Sequence, residues 1–178
     1  GGKPLIDYTL NAVVDSQYFD TVLFSSDDDE MLDYASKYEQ VTIEKRDSSL
    51  AGDKVKVIDL VKEISARSDF DNYDQVGLFL PTCPFRKASQ IVEAAKLLEY
   101  SNYSVVSVCP MNDPLQLSLT IDEVSNIIDP HAILNPSPLV TGNTRSQDFK
   151  PYYRVNGGIY LAWLDKFREK DNFFQGQV

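Results

Sequence analysis

The 178-residue sequence is poor in soft metal ligands and nucleophile partners: it has two cysteines and a single histidine. Cys83 and Cys109 each stand at the end of a strand-like run, not in a ligand cluster. With His131 as the lone imidazole, this argues against a Cys/His zinc site and against Cys83 as a base-assisted nucleophile. No apolar run approaches the roughly 20 residues of a membrane span, and no leader pattern is present. Internal repeats and low-complexity tracts are missing as well. Positive charge is also short: 17 Lys and Arg against 27 Asp and Glu leave a formal charge of −10. That argues against a nucleic-acid backbone binder, while a small anion needs only a local basic patch. Free thiols without a leader point to the cytoplasm. Gly1-Gly2-Lys3 does not read as an initiator sequence, so the expectation is a segment of a longer gene product.

What is there fits one domain over 1–178, with 43% hydrophobic residues to fill its core. Pro4 is suited to open a helix, and Leu5, Ile6, Leu10, Val13 and Val14 share one helical face. Strands are expected at 21–24, 41–43, 76–80 and 104–108. Helices between them carry Met31, Leu32, Ala35 and Tyr38; then Val57, Ile58, Val61 and Ile64; then Ile91, Ala94, Ala95 and Leu98. Alternating strands and helices predict an α/β fold, a mostly parallel sheet with helices on both faces. The order breaks after Pro110. A half-exposed strand is expected over 115–121, then a proline-rich loop over 129–153, before a strand resumes at 157–163. The irregular excursion, 111–155, reads as a lid or subunit contact.

Val76-Gly77-Leu78-Phe79-Leu80 reads as a buried strand stopped by Pro81-Thr82-Cys83-Pro84, because proline offers no N–H to a sheet. The residues that follow stand at the carboxyl edge of the sheet, where open α/β folds place ligands. Thr82 and Cys83 are either a capped turn or contacts to a polar ligand. Asp27 to Glu30 read as a helix start, Asp27 with Glu30 having capping-box spacing, rather than as a metal site. Arg46 and Asp53 bracket a polar loop: either a surface cation with a turn and N-cap, or a holder for a nucleotide base. Arg145, Gln147, Arg154 and Asn156 gather before Gly157-Gly158. They suit a carboxylate or phosphate, or else form a solvated loop.

Taken in order, these pieces resemble the acylneuraminate (CMP-sialic acid) cytidylyltransferases. The matching segments are Gly2-Lys3-Pro4-Leu5, Ser25 to Asp28, Arg46 with Leu50-Ala51-Gly52-Asp53, and Pro81-Thr82-Cys83-Pro84-Phe85-Arg86. Further on come Ser104-Val105-Val106-Ser107-Val108, Arg145 with Gln147-Asp148-Phe149, and Arg154-Val155-Asn156-Gly157-Gly158-Ile159-Tyr160. The resemblance covers essentially the whole chain. It implies a Rossmann-like fold and a homodimer in which the excursion is the dimerisation element. The implied reaction transfers CMP from CTP to a nine-carbon keto-sugar acid with Mg²⁺ on the phosphates, positioning and charge stabilisation carrying the chemistry without a protein nucleophile.

By the same resemblance Arg46 and Asp53 serve the nucleotide. Leu80, Thr82, Cys83, Arg145, Gln147, Asn156, Tyr160, Phe173 and Phe174 serve the sugar acid. Leu80 stands where the family usually has a glutamine, which points to a sugar acid with a different acyl or hydroxyl pattern. Within the enzyme class, transfer to a legionaminic- or pseudaminic-type acid is the alternative. Lys54 and Lys56 replace a hydroxyl-rich run and lie either by the phosphates or toward solvent. The family's triphosphate loop would precede Gly1, and its Mg²⁺-binding aspartates would follow Val178. No catalytic residue or metal ligand is therefore assigned, and the 178-residue chain is expected to be inactive alone; CMP-sugar formation by it would overturn this. The alternative from another class is a non-catalytic sugar-nucleotide-binding or assembly module.

Overall fold

A computed structural model describes residues 2–52, 54–100 and 104–174. Along the chain come α1 (Leu5–Ser16), β1 (Val22–Ser26), α2 (Asp29–Ala35), β2 (Val41–Lys45), α3 (Val57–Ser65), β3 (Gln75–Leu78) and α4 (Ala88–Tyr100). They are followed by β4 (Ser104–Pro110), β5 (Thr120–Ile121), β6 (Ile128–Asp129), α5 (Pro138–Thr141), β7 (Tyr153–Trp163) and α6 (Leu164–Lys170). Two compact units result: Gly1–Ser107 with Asn156–Val178, and Val108–Val155.

The first unit is α/β. Strands β1 and β2 pair in parallel, from Val22 opposite Val41 to Ser26 opposite Lys45. A three-stranded sheet has the order β3-β7-β4, with β7 antiparallel to β3 so that Leu78 faces Tyr160. The two-residue period of a strand sends alternate side chains of β7 to opposite faces. Ile159 and Leu161 join α1 and α4 residues such as Val13, Ile91 and Leu98 in one core. Ala162 joins Val61, Phe167 and Phe173 in another. Helices therefore cover both faces, as the alternating pattern predicts.

Between β1 and β3 the sheet is interrupted. No backbone hydrogen bond joins the two strands among the described residues. The gap holds a cavity of about 680 Å³, walled by Val13 of α1, Leu60 and Val61 of α3, and Phe24 and Gly77 on the facing strand edges. Only side chains bridge it at the amino ends of the strands, with the Tyr18 hydroxyl 2.8 Å from Gln75 Oε1 and Thr21 Oγ1 2.5 Å from the Tyr73 hydroxyl.

Local chemistry sets the helix starts, in one case not at the expected residue. Asp28, not Asp27, caps α2: Asp28 is extended, and its Oδ1 accepts from the N–H groups of Glu30 and Met31 at 2.8 and 3.1 Å. That satisfies two of the donors a helix start leaves free.

The second unit departs from its expected local structure. Residues 115–121 do not form one strand. Leu117 N–H donates to Pro114 O at 3.0 Å, making a 3₁₀ turn over Leu115–Leu117, and only Thr120–Ile121 pairs, antiparallel with Ile128–Asp129. The polar Gln116 is the buried residue there, with Nε2 donating to Lys150 O at 2.9 Å, so polar–apolar alternation misleads. Inside the expected loop, Ser137 caps α5 and Gly142, at φ 85°, ends it. Val124, Ile127 and Val140 of this unit are exposed.

Candidate functional site

The carboxyl ends of β1 and β2 are tied together by Arg46. Its N–H donates to Ser26 O at 2.8 Å and its Nη2 to Ser25 O at 2.6 Å. Its Nε and the Ser25 hydroxyl are buried without a hydrogen-bond partner, and both residues line the cavity beside β1. Buried polar atoms normally find partners. An unused guanidinium donor and an unused hydroxyl, both closed off from solvent, mark this spot as one where a polar partner reached by a local side-chain turn gains hydrogen bonds. Ahead of the next loop, Asp47 accepts from Ser49 N–H at 2.8 Å, and hydrogen bonding from Ser49 holds its carboxyl below the usual carboxylate range. Asp53 lies outside the described residues. Lys54 and Lys56 are exposed.

The carboxyl end of β3 runs into the Leu80–Arg86 stretch, and antiparallel β7 brings Asn156, Gly157 and Gly158 beside it. Cys83 N–H donates to Leu80 O at 3.3 Å, forming the turn expected from Pro81 and Pro84. Thr82 is exposed on this turn, Cys83 is half-buried, and Leu80 lines the cavity. Asn156 Oδ1 accepts from Ser107 Oγ at 2.6 Å and from Gly158 N–H at 2.9 Å, while Ser107 Oγ accepts from Ile159 N–H at 2.7 Å. A Cβ on Gly158 would lie 2.9 Å from Ser107 Oγ and 3.3 Å from Cys83 Sγ. Cys83, Ser107, Asn156 and Gly158 thus meet at one spot, and the bare glycine makes room for the meeting.

Tyr160 follows further along β7, packed with Ala162 and Phe173 and half-buried, with its ring 5.5 Å from that of Phe173 and 6.5 Å from that of Phe174. The two phenylalanines have different settings. Phe173 is 2% exposed and packs on Phe167 at 4.8 Å between ring centres, whereas Phe174 is 55% exposed. Arg145 and Gln147 belong to the second unit. There both are exposed on a 3₁₀ turn over Ser146–Asp148, Arg145 Nε 3.8 Å from Asp148 Oδ2.

The arrangement of parallel and antiparallel strands is shared with a solved structure. The structure of 4-diphosphocytidyl-2C-methyl-D-erythritol synthase from Anaerococcus prevotii superposes with a TM-score of 0.64 at 13% identity, over 100% of this chain and 70% of that one. This likeness concerns the fold. The sequence decides further, because the cytidylyltransferase family profile matches residues 1–160. The chain belongs to the cytidylyltransferase family.

This cytidylyltransferase chain is 30% identical to the CMP-N,N'-diacetyllegionaminic acid synthase of Legionella pneumophila over 177 residues, 97% of the chain and 72% of the relative. It is 29% identical to the N-acylneuraminate cytidylyltransferase of Escherichia coli, again over 97% of the chain but only 39% of that longer protein. To the pseudaminic acid cytidylyltransferase of Campylobacter jejuni it is 25% identical, over 98% of the chain and 73% of the relative.

Three residues of the candidate site stand outside the set expected from sequence. Ser25 follows the strand expected at 21–24, and the structure extends that strand to Ser26. Ser107 lies inside the strand expected at 104–108, where its signal is a polar side chain between Val106 and Val108. Arg86 closes the Pro-Thr-Cys-Pro-Phe-Arg segment, where the sequence gives it no role, and it is buried. Only the fold shows that α1, β3 and β7 converge on it.

Proposed function

We propose that this chain is the nucleotide- and sugar-recognising part of an enzyme that transfers CMP from CTP to a sialic-acid-like nine-carbon keto-sugar acid. In the reaction the anomeric hydroxyl oxygen of the sugar bonds to the α-phosphorus of CTP. The bond from that phosphorus to its bridging oxygen breaks, pyrophosphate leaves with the electron pair, and the hydroxyl proton passes to solvent. Such a displacement depends on placing the two substrates and stabilising charge, and needs no protein nucleophile. The observation that carries the reading is that three relatives matched over 97–98% of the chain are each named for this kind of transfer or synthesis.

Arg46 and Ser25, with their free polar atoms, take the cytidine end in this reading. The edge formed by Leu80, Thr82, Cys83 and Asn156 takes the sugar acid. A legionaminic-type acid is the second reading for the sugar, favoured by the Legionella relative and by Leu80, which cannot hydrogen-bond a sugar hydroxyl. Mg²⁺ is the cofactor the resemblance implies. Among the described residues no group of three or more His, Cys, Asp or Glu side chains gathers to hold a metal, so no step is routed through one.

A homodimer is part of the proposal. The second unit exposes Val124 at 94% and Ile127 at 67%, apolar surface of the kind that subunit contacts cover. A cytoplasmic location is proposed on the two free cysteines. No helix of the described residues is long and apolar enough to cross a membrane.

Pyrophosphate release is measured with the complete gene product, CTP, and a panel of sialic, legionaminic and pseudaminic acids. Release with at least one acid, strongest with one sugar type, supports the reading. No release with any of them, together with no CTP-induced rise in melting temperature, overturns it in favour of a non-catalytic binding module.

A further inference from the structure

Arg86 is 6% exposed, and no ion pair among the described residues includes it. Its guanidinium donates only to neutral oxygens: Nε to Gly158 O, Nη1 to Thr9 Oγ1 at 3.2 Å, and Nη2 to Leu80 O at 2.8 Å. The ring of Phe79 lies 5.2 Å from its central carbon. A buried cation is costly to desolvate and is ordinarily paired with an acid. This chain has ten more acids than bases, yet none of the described acids serves Arg86. Burial pushes its pKa below the ordinary arginine value, but a guanidinium keeps its proton at any physiological pH. The charge is therefore real, fixed and unneutralised.

It is also well aimed. The three acceptors come from α1, from the exit of β3 and from β7, and two of them, Leu80 and Gly158, flank the turn carrying Thr82 and Cys83. We propose that Arg86 is a positioning residue that also charges this edge: it fixes the turn against α1 and β7 and supplies an unpaired positive field at Thr82 and Cys83 for a carboxylate or phosphate oxygen. In a partly dehydrated site such a field acts more strongly than in water. The identity of the anion rests on the proposed cytidylyl transfer; the field does not.

Cys83 serves as the reporter, in the Cys109→Ser chain so that one thiol reacts. Its modification rates are measured with an anionic methanethiosulfonate (sulfonatoethyl) and a cationic one (trimethylammonioethyl). The anion-to-cation rate ratio is expected to exceed that of free cysteine despite the net negative chain, to fall about fivefold in Arg86→Gln, and to be held by Arg86→Lys. A merely structural role changes both rates together and leaves the ratio unmoved, which overturns the proposal. Should Arg86→Gln not fold, the wild-type ratio decides: at or below that of free cysteine, the proposal fails. Protection of Cys83 by N-acetylneuraminate assigns the field to a carboxylate, and protection by CTP assigns it to a phosphate. A raised ratio without protection by either overturns the anion-binding role. None of these readouts requires turnover, so failure of the proposed transfer is seen separately in the pyrophosphate assay.

Discussion

The Tyr38 hydroxyl lies 2.6 Å from Asp7 Oδ1, the same oxygen that accepts from Tyr34 at 2.8 Å. Two residues around α2 are thereby anchored to one buried carboxylate of α1, whose other oxygen lies 3.1 Å from Lys3 Nζ. The hydrogen bond from Tyr38, ahead of those from Tyr34 and Lys3, holds the Asp7 carboxyl below the usual carboxylate range against the opposing effect of burial. A carboxyl depressed in the folded state stabilises fully above its unfolded value, about pH 4. That contribution fades as pH falls through the folded value. The melting temperature should therefore decline more steeply below about pH 4 in the wild type than in Asp7→Asn. At neutral pH, Tyr38→Phe should cost about 1–3 kcal/mol in urea unfolding. Parallel acid profiles for wild type and Asp7→Asn would count against the linkage.

Gly158→Ala should destabilise by about 1–3 kcal/mol, because the added methyl would sit 2.9 Å from Ser107 Oγ and 3.0 Å from Asn156 Oδ1, both held by hydrogen bonds to the β7 backbone. Gly52→Ala is the control, since its Cβ would meet nothing nearer than Val55 Cγ2 at 3.9 Å. Denaturant midpoints of the two variants should separate clearly.

Arg46→Met should weaken CTP binding about tenfold or more, the worth of a charge-assisted hydrogen bond, measured by calorimetry on the complete gene product. Arg46→Lys should rescue little, because an ammonium cannot hold Ser25 O and a ligand in the same planar fork. Equal affinities for wild type and Arg46→Met would remove Arg46 from the nucleotide site.

Leu80→Gln should raise kcat/KM for N-acetylneuraminate relative to legionaminic-type acids, by restoring an amide where the wild type offers only methyl groups. A panel ratio that stays the same within twofold would mean that Leu80 does not face the sugar.

Val124→Asp combined with Ile127→Glu places two charges on the apolar surface of the second unit. The complete gene product should then shift from dimer to monomer mass in light scattering while its circular dichroism is unchanged. A wild-type protein that is already monomeric would refute the proposed assembly.

Much of the α/β framework was legible because its strands and helices carry their own periodicity. Ile91, Ala94, Ala95 and Leu98 recur at helical spacing and are all buried. The proline stop after β3 likewise marked the turn in which Cys83 N–H donates to Leu80 O. What escaped depended on tertiary contact. Asp27 and Asp28 are chemically alike, and only the extended backbone of Asp28 turns its carboxylate toward the helix start. Gln116 breaks its polar pattern because a carbonyl at Lys150 awaits its amide. Phe173 and Phe174 are adjacent and identical in type, but one fills the core and the other meets solvent. Arg86 looks like any surface arginine until three chain segments fold around it.

The interruption between β1 and β3 has a consequence for how the chain behaves in solution. Each of those strands presents a row of N–H and C=O groups toward the gap, with apolar walls on either side. Open strand edges are templates for further pairing, and natural sheets blunt them with charge, bulges or cover. Neither Val22-Leu23-Phe24 nor Val76-Gly77-Leu78 carries a charged gatekeeper. Left uncovered, these edges make self-association at high concentration a property of the main chain itself, so surface charge of the same sign on every copy would slow it without removing its cause.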